Sequence, residues 1–320
     1  MSGRLHGALV CGLTRGLWAS LACLILCLGV GELRADTVTL SSYPVEIVFR
    51  SRDERVARKV AEVCEHDIDR LASELGLSTV SPIRIDVVTD MRPYRHSFSG
   101  NVPVWGVAFA LLREQVIVVD VQRATRQYNS LDRVIPHELS HLLLAQRVGT
   151  VACPVWFLEG LAQWQAREWS LVDNWQLMNT VWSKATPLLW HLMNNYPADE
   201  SSARAAYRIS YAAFADAFGS RSAELPAFLG SIGESGGFEP AFEEFTGVAL
   251  VPWMVSFHEG LERKYHSRLL VFQTGPLFSI AAVVFLFVGL RAYIRKRRRL
   301  KDLEREERGV WLDGDSGGGV

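Results

Sequence analysis

An excess of charge of either sign is missing from this chain. Its 320 residues carry 34 Lys and Arg against 35 Asp and Glu, a formal net charge of −1. Without a basic surplus to neutralise phosphates, the composition gives no support to a nucleic-acid partner. Cysteine is scarce, five in all, which excludes a small protein held by a disulfide framework. Internal repeats are absent, and low complexity is confined to a Ser-Gly-Gly-Gly run near the C-terminus. Extended polar tracts are lacking too: with 49% hydrophobic residues, 10 Trp and 15 Phe, most of the chain is excluded from the disordered class. There is apolar material for one large domain or two modest ones.

The apolar residues are unevenly placed. Arg4 and Arg15 precede an uncharged run from Gly16 to Gly31, and Leu33-Arg34-Ala35 ends on a small residue before Asp36. Residues 1–35 therefore read as a secretory signal peptide, with an uncleaved anchor as the alternative. A second uncharged run extends from Leu269 to Leu290. As a helix rising ~1.5 Å per residue it would cover a hydrocarbon core of about 30 Å. Arg291, Arg295, Lys296, Arg297, Arg298, Arg299 and Lys301 follow it, a cluster that stays cytoplasmic under the positive-inside rule. The expectation is a single-pass inner-membrane protein: transmembrane helix 269–290, periplasmic or otherwise extracytoplasmic body 36–268, cytoplasmic tail 291–320. The amphipathic segment 252–265 would be a short stalk. In an exported body only Cys64 and Cys153 remain, and they are either a disulfide or two buried thiols.

Within the body, Pro44–Arg50 alternates like a strand, Arg55–Leu77 has apolar residues at helical spacing, and Pro82–Thr89 is a second strand. Val102–Val121 reads as a hairpin turning at Arg113-Glu114-Gln115. From Asn129 onward the pattern is helical. Strands and a helix first, helices afterwards, predict an α+β class without alternating βαβ units.

His137-Glu138-Leu139-Ser140-His141 is an HExxH motif. Residues four apart on a helix share a face, so both imidazoles can grip one Zn²⁺. Glu138 is carried round far enough to miss the metal yet reach a water beside it, the place of a general base. A chain of this length shows HExxH by chance roughly once in a hundred, so the following segment matters. Glu159 lies within Pro154-Val-Trp-Phe-Leu-Glu-Gly-Leu-Ala, surrounded by Trp156, Phe157, Leu158 and Leu161. An acid amid that much apolar surface wants a cation, and a second helix from Val155 would bring it back to the histidines as third ligand. His191 and His258 are the rival ligands. Tyr207, Tyr211 and His191 are eligible to hold an oxyanion, with Tyr207 preferred. The Trp series 156, 164, 169, 175, 182 and 190 is most simply packing.

HELSH followed by P-x-W-x-x-E-G-x-A resembles the gluzincin zinc metallopeptidases, most closely the membrane-associated peptidase MA-like domains. The Trp105-Gly106-Val107-Ala108 strand is also similar to the strand pair before the HExxH helix there. The resemblance implies a zincin-like fold, zinc on His137, His141 and Glu159, Glu138 as base, and a peptide or protein substrate that the edge strand near Gly106–Ala110 could pair with. Two departures stand out. Thermolysin-like members carry an acid four residues after the glutamate ligand to orient a zinc histidine, where this chain has Gln163. The G-x-M-E-N motif of aminopeptidases has no match in Trp105–Leu112, which favours an endopeptidase. The alternatives are a catalytically silent zincin-like binding or assembly module, and a zinc hydrolase of a non-peptide or peptidoglycan amide.

Overall fold

The computed structural model describes residues 35–94, 106–274 and 279–297. The proposed signal peptide up to Arg34, Trp105 and the tail beyond Arg297 lie outside the described residues. The chain divides into two compact units, the first ending at Phe257 and the second starting at His258.

The first unit is built on five strands: β1 (Ala35–Thr39), β2 (Val45–Arg50), β3 (Ile83–Val88), β4 (Ala108–Leu111) and β5 (Val116–Asp120). Their order across the sheet is β1-β2-β3-β5-β4. The central three are parallel, and the outer two, β1 and β4, pair antiparallel with their neighbours. In β2 the alternation seen in the sequence holds, with Val45, Ile47 and Phe49 buried. The core of β3 and β5 is a run of buried aliphatics, Ile83, Ile85, Val87, Ile117, Val118 and Val119, as befits strands covered by helices.

Helix α1 (Glu54–Leu75) joins β2 to β3. That makes a parallel β-α-β crossover, a unit the sequence reading had excluded. A helix of 22 residues spans the return that parallel strands demand, so one such unit coexists with the α+β class. The sequence reading also missed β1, whose residues are too few and too polar to alternate clearly. Helix α1 buries Val56, Val60, Val63, Cys64, Ile68, Leu71 and Leu75 and stops at Gly76, which adopts the left-handed conformation at φ 72°. A Cβ there would also meet Pro226 Cβ at 2.7 Å.

The remaining helices are α2 (Val121–Arg126), α3 (Leu131–Val148), α4 (Val155–Gln165), α5 (Leu171–Trp182), α6 (Glu200–Phe218), α7 (Leu225–Glu234), α8 (Phe238–Thr246) and α9 (Leu250–Thr274), which carries the chain into the second unit. Helix α3 packs on α1 and β4, and α4 packs on α6. Pro136 sits inside α3, so the backbone carbonyl of the exposed Asp132 lacks its helical donor and can turn to solvent. The aromatic core of the helical layer holds Trp156 and Phe157 of α4 against Phe214, Phe218, Phe228, Phe238 and Phe242. Of the six Trp read as packing residues, Trp175 and Trp190 are instead exposed, at 53% and 44%.

Three expectations fall on the C-terminal segment. No helix among the described residues is long and apolar enough to cross a membrane. The first residues of the run 269–290 end α9, which carries Glu259, Glu262, Arg263 and Lys264. Residues 275–278 lie outside the described set, and the next helix, 279–297, reaches Arg291 after twelve uncharged residues and continues through Arg295, Lys296 and Arg297. The expected transmembrane helix, the membrane as partner with its stalk, and the inner-membrane location with an outward body and cytoplasmic tail are therefore corrected. The disulfide alternative falls as well, because Cys64 and Cys153 are both free thiols.

Candidate metal centre

Helix α3 presents His137 and His141 on one face, as the four-residue spacing requires, with ring centroids 4.9 Å apart and nearly perpendicular. Helix α4 begins at Val155 and returns Glu159 to them. Glu159 Oε2 lies 3.4 Å from His137 Nε2 and 3.8 Å from His141 Nε2. One ligand atom from each of the three residues falls within 4.8 Å of the others, and this is the one such group among the described residues. Neither rival joins it. His191 lies exposed in the turn Leu189–Leu192, edge-on to Trp190, and His258 belongs to α9.

The donor chemistry of this group fits a metal ion. Glu159 Oε2 is buried and has no aligned hydrogen-bond donor, although two imidazole nitrogens face it. Buried carboxylate oxygens are almost always satisfied, and three lone-pair donors converging on one point are satisfied together by a cation. In the metal-free protein protons partly do that work. Burial alone would depress His137, but Glu168 and Glu159 beside it outweigh burial and hold its pKa well above 6.5. His141, where burial wins, falls to about 4. Glu159 is raised by burial and lowered more by His141 and His137, ending below its ordinary value.

Glu138 is next to the group and outside it. Burial chiefly, with Glu159 and Glu168 nearby, pushes its pKa up to about 8, while His137 and a hydrogen bond from the Ala110 backbone pull it down. That bond links the motif helix to β4, the edge strand among the described residues, so the carboxylate is held against that strand. Tyr207 on α6 has its hydroxyl pKa raised by burial and by the charges of Glu159, Glu138 and Glu168, which keeps the hydroxyl protonated. Tyr196 packs on it, ring centroids 4.9 Å apart. Tyr211 is committed elsewhere, stacked on Trp169 at 4.2 Å.

The α4–α6 contact that brings Tyr207 in depends on Gly160. A Cβ at that position would lie 2.4 Å from the Ser210 carbonyl oxygen and 2.8 Å from Phe214 Cβ. Gln163, one turn on, donates from Nε2 to the Tyr207 carbonyl at 2.9 Å and to the Glu159 carbonyl at 3.1 Å. It occupies the position of the orienting acid in the thermolysin pattern and instead staples the two helices. Behind the motif, Ser140 donates to Gln165 Oε1 at 2.6 Å. Gln165 Nε2 donates in turn to Glu74 Oε2 at 3.0 Å and to the Leu71 carbonyl at 3.3 Å. This buried chain fixes α4 relative to α3 and α1.

Two participants escaped the sequence reading. Ala110 contributes a backbone N–H, which no side-chain pattern signals. Glu168 lies three residues past the end of α4, with Oε1 3.3 Å from His137 Nδ1, and no spacing pattern in the sequence pointed to it. Comparison with known proteins places the chain in no group, since no family model, curated protein or solved structure matches it.

Proposed function

We propose that this chain is a zinc metallopeptidase of gluzincin type, with His137, His141 and Glu159 as metal ligands. The observation that carries the reading is the buried Glu159 oxygen facing two imidazole Nε2 atoms without a proton aligned between them. A His₂Glu donor set with room for one more ligand suits catalytic zinc. When bound, zinc supplies Lewis acidity that lowers the pKa of a water to about 7 and polarises a carbonyl.

The chain's own residues do the rest. Glu138, oriented by the Ala110 N–H, takes a proton from the attacking water at its carboxylate and returns it to the departing amine nitrogen. A carboxyl whose pKa stands near 8 before metal binds is suited to both transfers. The protonated Tyr207 hydroxyl donates a hydrogen bond to the oxyanion. An extended peptide is the substrate class, because among the described residues β4 is an edge strand of the sheet, with one side unpaired beside Glu138.

Metal analysis of the purified full chain, paired with cleavage of a peptide library, tests the proposal. We expect about one zinc per chain, lost in His137→Ala and His141→Ala. Glu138→Gln should keep the metal and the fold while cleavage disappears. A folded chain that stays metal-free after zinc reconstitution refutes the metal centre. A zinc-loaded chain that cleaves no peptide at all refutes the peptidase.

A further inference from the structure

We infer that Glu168 is the positioning residue for His137: its carboxylate accepts the imidazole Nδ1–H and thereby leaves Nε2, the atom that faces Glu159, free to bind metal. The inference rests on the metal-site reading above and adds a residue that neither the HExxH motif nor the P-x-W-x-x-E-G segment contains.

His137 Nδ1 is buried, and it has no hydrogen-bond partner of good geometry. Glu168 Oε1, at 3.3 Å, is the acceptor within ion-pair reach. An imidazole that donates from Nδ1 is fixed in the tautomer whose lone pair is on Nε2, and Nε2 is the nitrogen 3.4 Å from the Glu159 ligand oxygen. The residue at the thermolysin-like orienting position cannot serve. Gln163 spends its amide on the carbonyls of Glu159 and Tyr207, which leaves the histidine's outer nitrogen to another group.

The backbone shows how Glu168 reaches it. Helix α4 ends in a Schellman turn. The Arg167 N–H bonds to the Trp164 carbonyl at 3.2 Å and the Glu168 N–H to the Gln163 carbonyl at 3.1 Å, the paired closing bonds of that motif. The turn needs a left-handed residue at its centre, and that residue is Arg167, at φ 54°. Glycine is the usual occupant, and a side chain there strains the backbone. The strained turn reverses the chain at once, so the carboxylate next in sequence is folded back over the helix end towards His137. The Glu168 side chain is 28% exposed, while the imidazole it serves is at 13%.

The test measures metal affinity of the full chain by chelator competition, together with ¹⁵N resonances of the His137 ring. Glu168→Ala should weaken zinc binding about 10- to 100-fold, the usual effect of removing the outer partner of a metal histidine. Thermal unfolding of its metal-free form shows whether the fold is kept. Glu168→Gln retains an acceptor oxygen without the charge and should recover part of the loss, a rescue that a merely structural role would not give. The parent's zinc-loaded spectrum should show a protonated Nδ1 on His137. Zinc binding in Glu168→Ala and Glu168→Gln as tight as in the parent, or a His137 protonated on Nε2 in the loaded parent, overturns the inference. A parent that folds but binds no zinc overturns the metal-centre reading instead, so the two failures are told apart.

Discussion

Replacing Gly160 by alanine adds one methyl group at the tightest point of the α4–α6 contact. The added Cβ would sit 2.4 Å from the Ser210 carbonyl oxygen and 2.8 Å from Phe214 Cβ, where ordinary contact begins at 3.4 Å. Helix α6 must therefore withdraw by about 1 Å. Neither obstacle is a flexible side-chain tip, and both Ser210 and Phe214 are fully buried, so the movement is resisted by the aromatic core. Overpacking of this kind costs about 1–3 kcal/mol, and alanine's better helix propensity returns at most ~1 kcal/mol. A net loss of about 1–2 kcal/mol follows, and for a unit of this size ~1 kcal/mol lowers Tm by about 2–4 °C. The effect on chemistry should be larger than on stability. A 1 Å shift stretches the 2.9 Å bond from Gln163 to the Tyr207 carbonyl and draws the Tyr207 hydroxyl from the cluster, where such misplacement costs on the order of 10²-fold in rate. Urea and thermal unfolding of Gly160→Ala, with peptide cleavage measured alongside, provide the numbers. A variant as stable and as active as the parent refutes the tight-approach reasoning.

Gln165→Leu strips the partners from the Ser140 hydroxyl and the Leu71 carbonyl in a fully buried position, and denaturant titration should show a loss of about 2–3 kcal/mol. Protons compete with metal at His137, whose pKa in the metal-free protein stands well above 6.5. Its bound proton must leave before metal binds, so zinc affinity should rise as the pH is raised above the ordinary imidazole range, and a flat profile by competition titration would contradict the assignment. Burial pushes the thiols of Cys64 and Cys153 up to about 12, so iodoacetamide should scarcely label either in the folded chain at neutral pH and should label both after denaturation; rapid native labelling of Cys64 would show that α1 is not packed as described.

The four residues of the centre that lie on one helix-loop-helix were legible because their spacing is itself the geometry: His137 and His141 share a helical face, and Glu159 is an acid stranded in apolar sequence. Tyr207 was legible only as one of three choices, since its selection depends on how closely α6 approaches, and that is set by a missing Cβ at Gly160. Glu168 was overlooked because its position comes from a left-handed turn at an arginine, a residue that does not advertise such a conformation. Strand order was partly hidden as well. The alternation of Val45, Ile47 and Phe49 identifies β2 but carries no record of its partner's direction, so the parallel return through α1 went unseen. The segment 269–290 misled for the opposite reason. Counting uncharged residues ignores the helices that hold them: among the described residues α9 carries Glu259, Glu262, Arg263 and Lys264, and the helix 279–297 carries Arg291, Arg295, Lys296 and Arg297.

The ligands and the outer partner of the centre fall between His137 and Glu168, on α3, α4 and the turn that ends α4, whereas the groups that tune Glu138 and the oxyanion come from β4 and α6. Ala110 stands no farther from Glu138 in sequence than Glu168 does from His137, so of these groups it is Tyr207 on α6 whose placement depends on a distant contact. Short-range contacts form early in folding and long-range ones late. Under the proposed function, the ligand set can assemble before α6 has closed on it, and in that interval it would lack its oxyanion donor. In the proposed peptidase, this order of assembly would slow a half-folded chain in cutting itself or its neighbours.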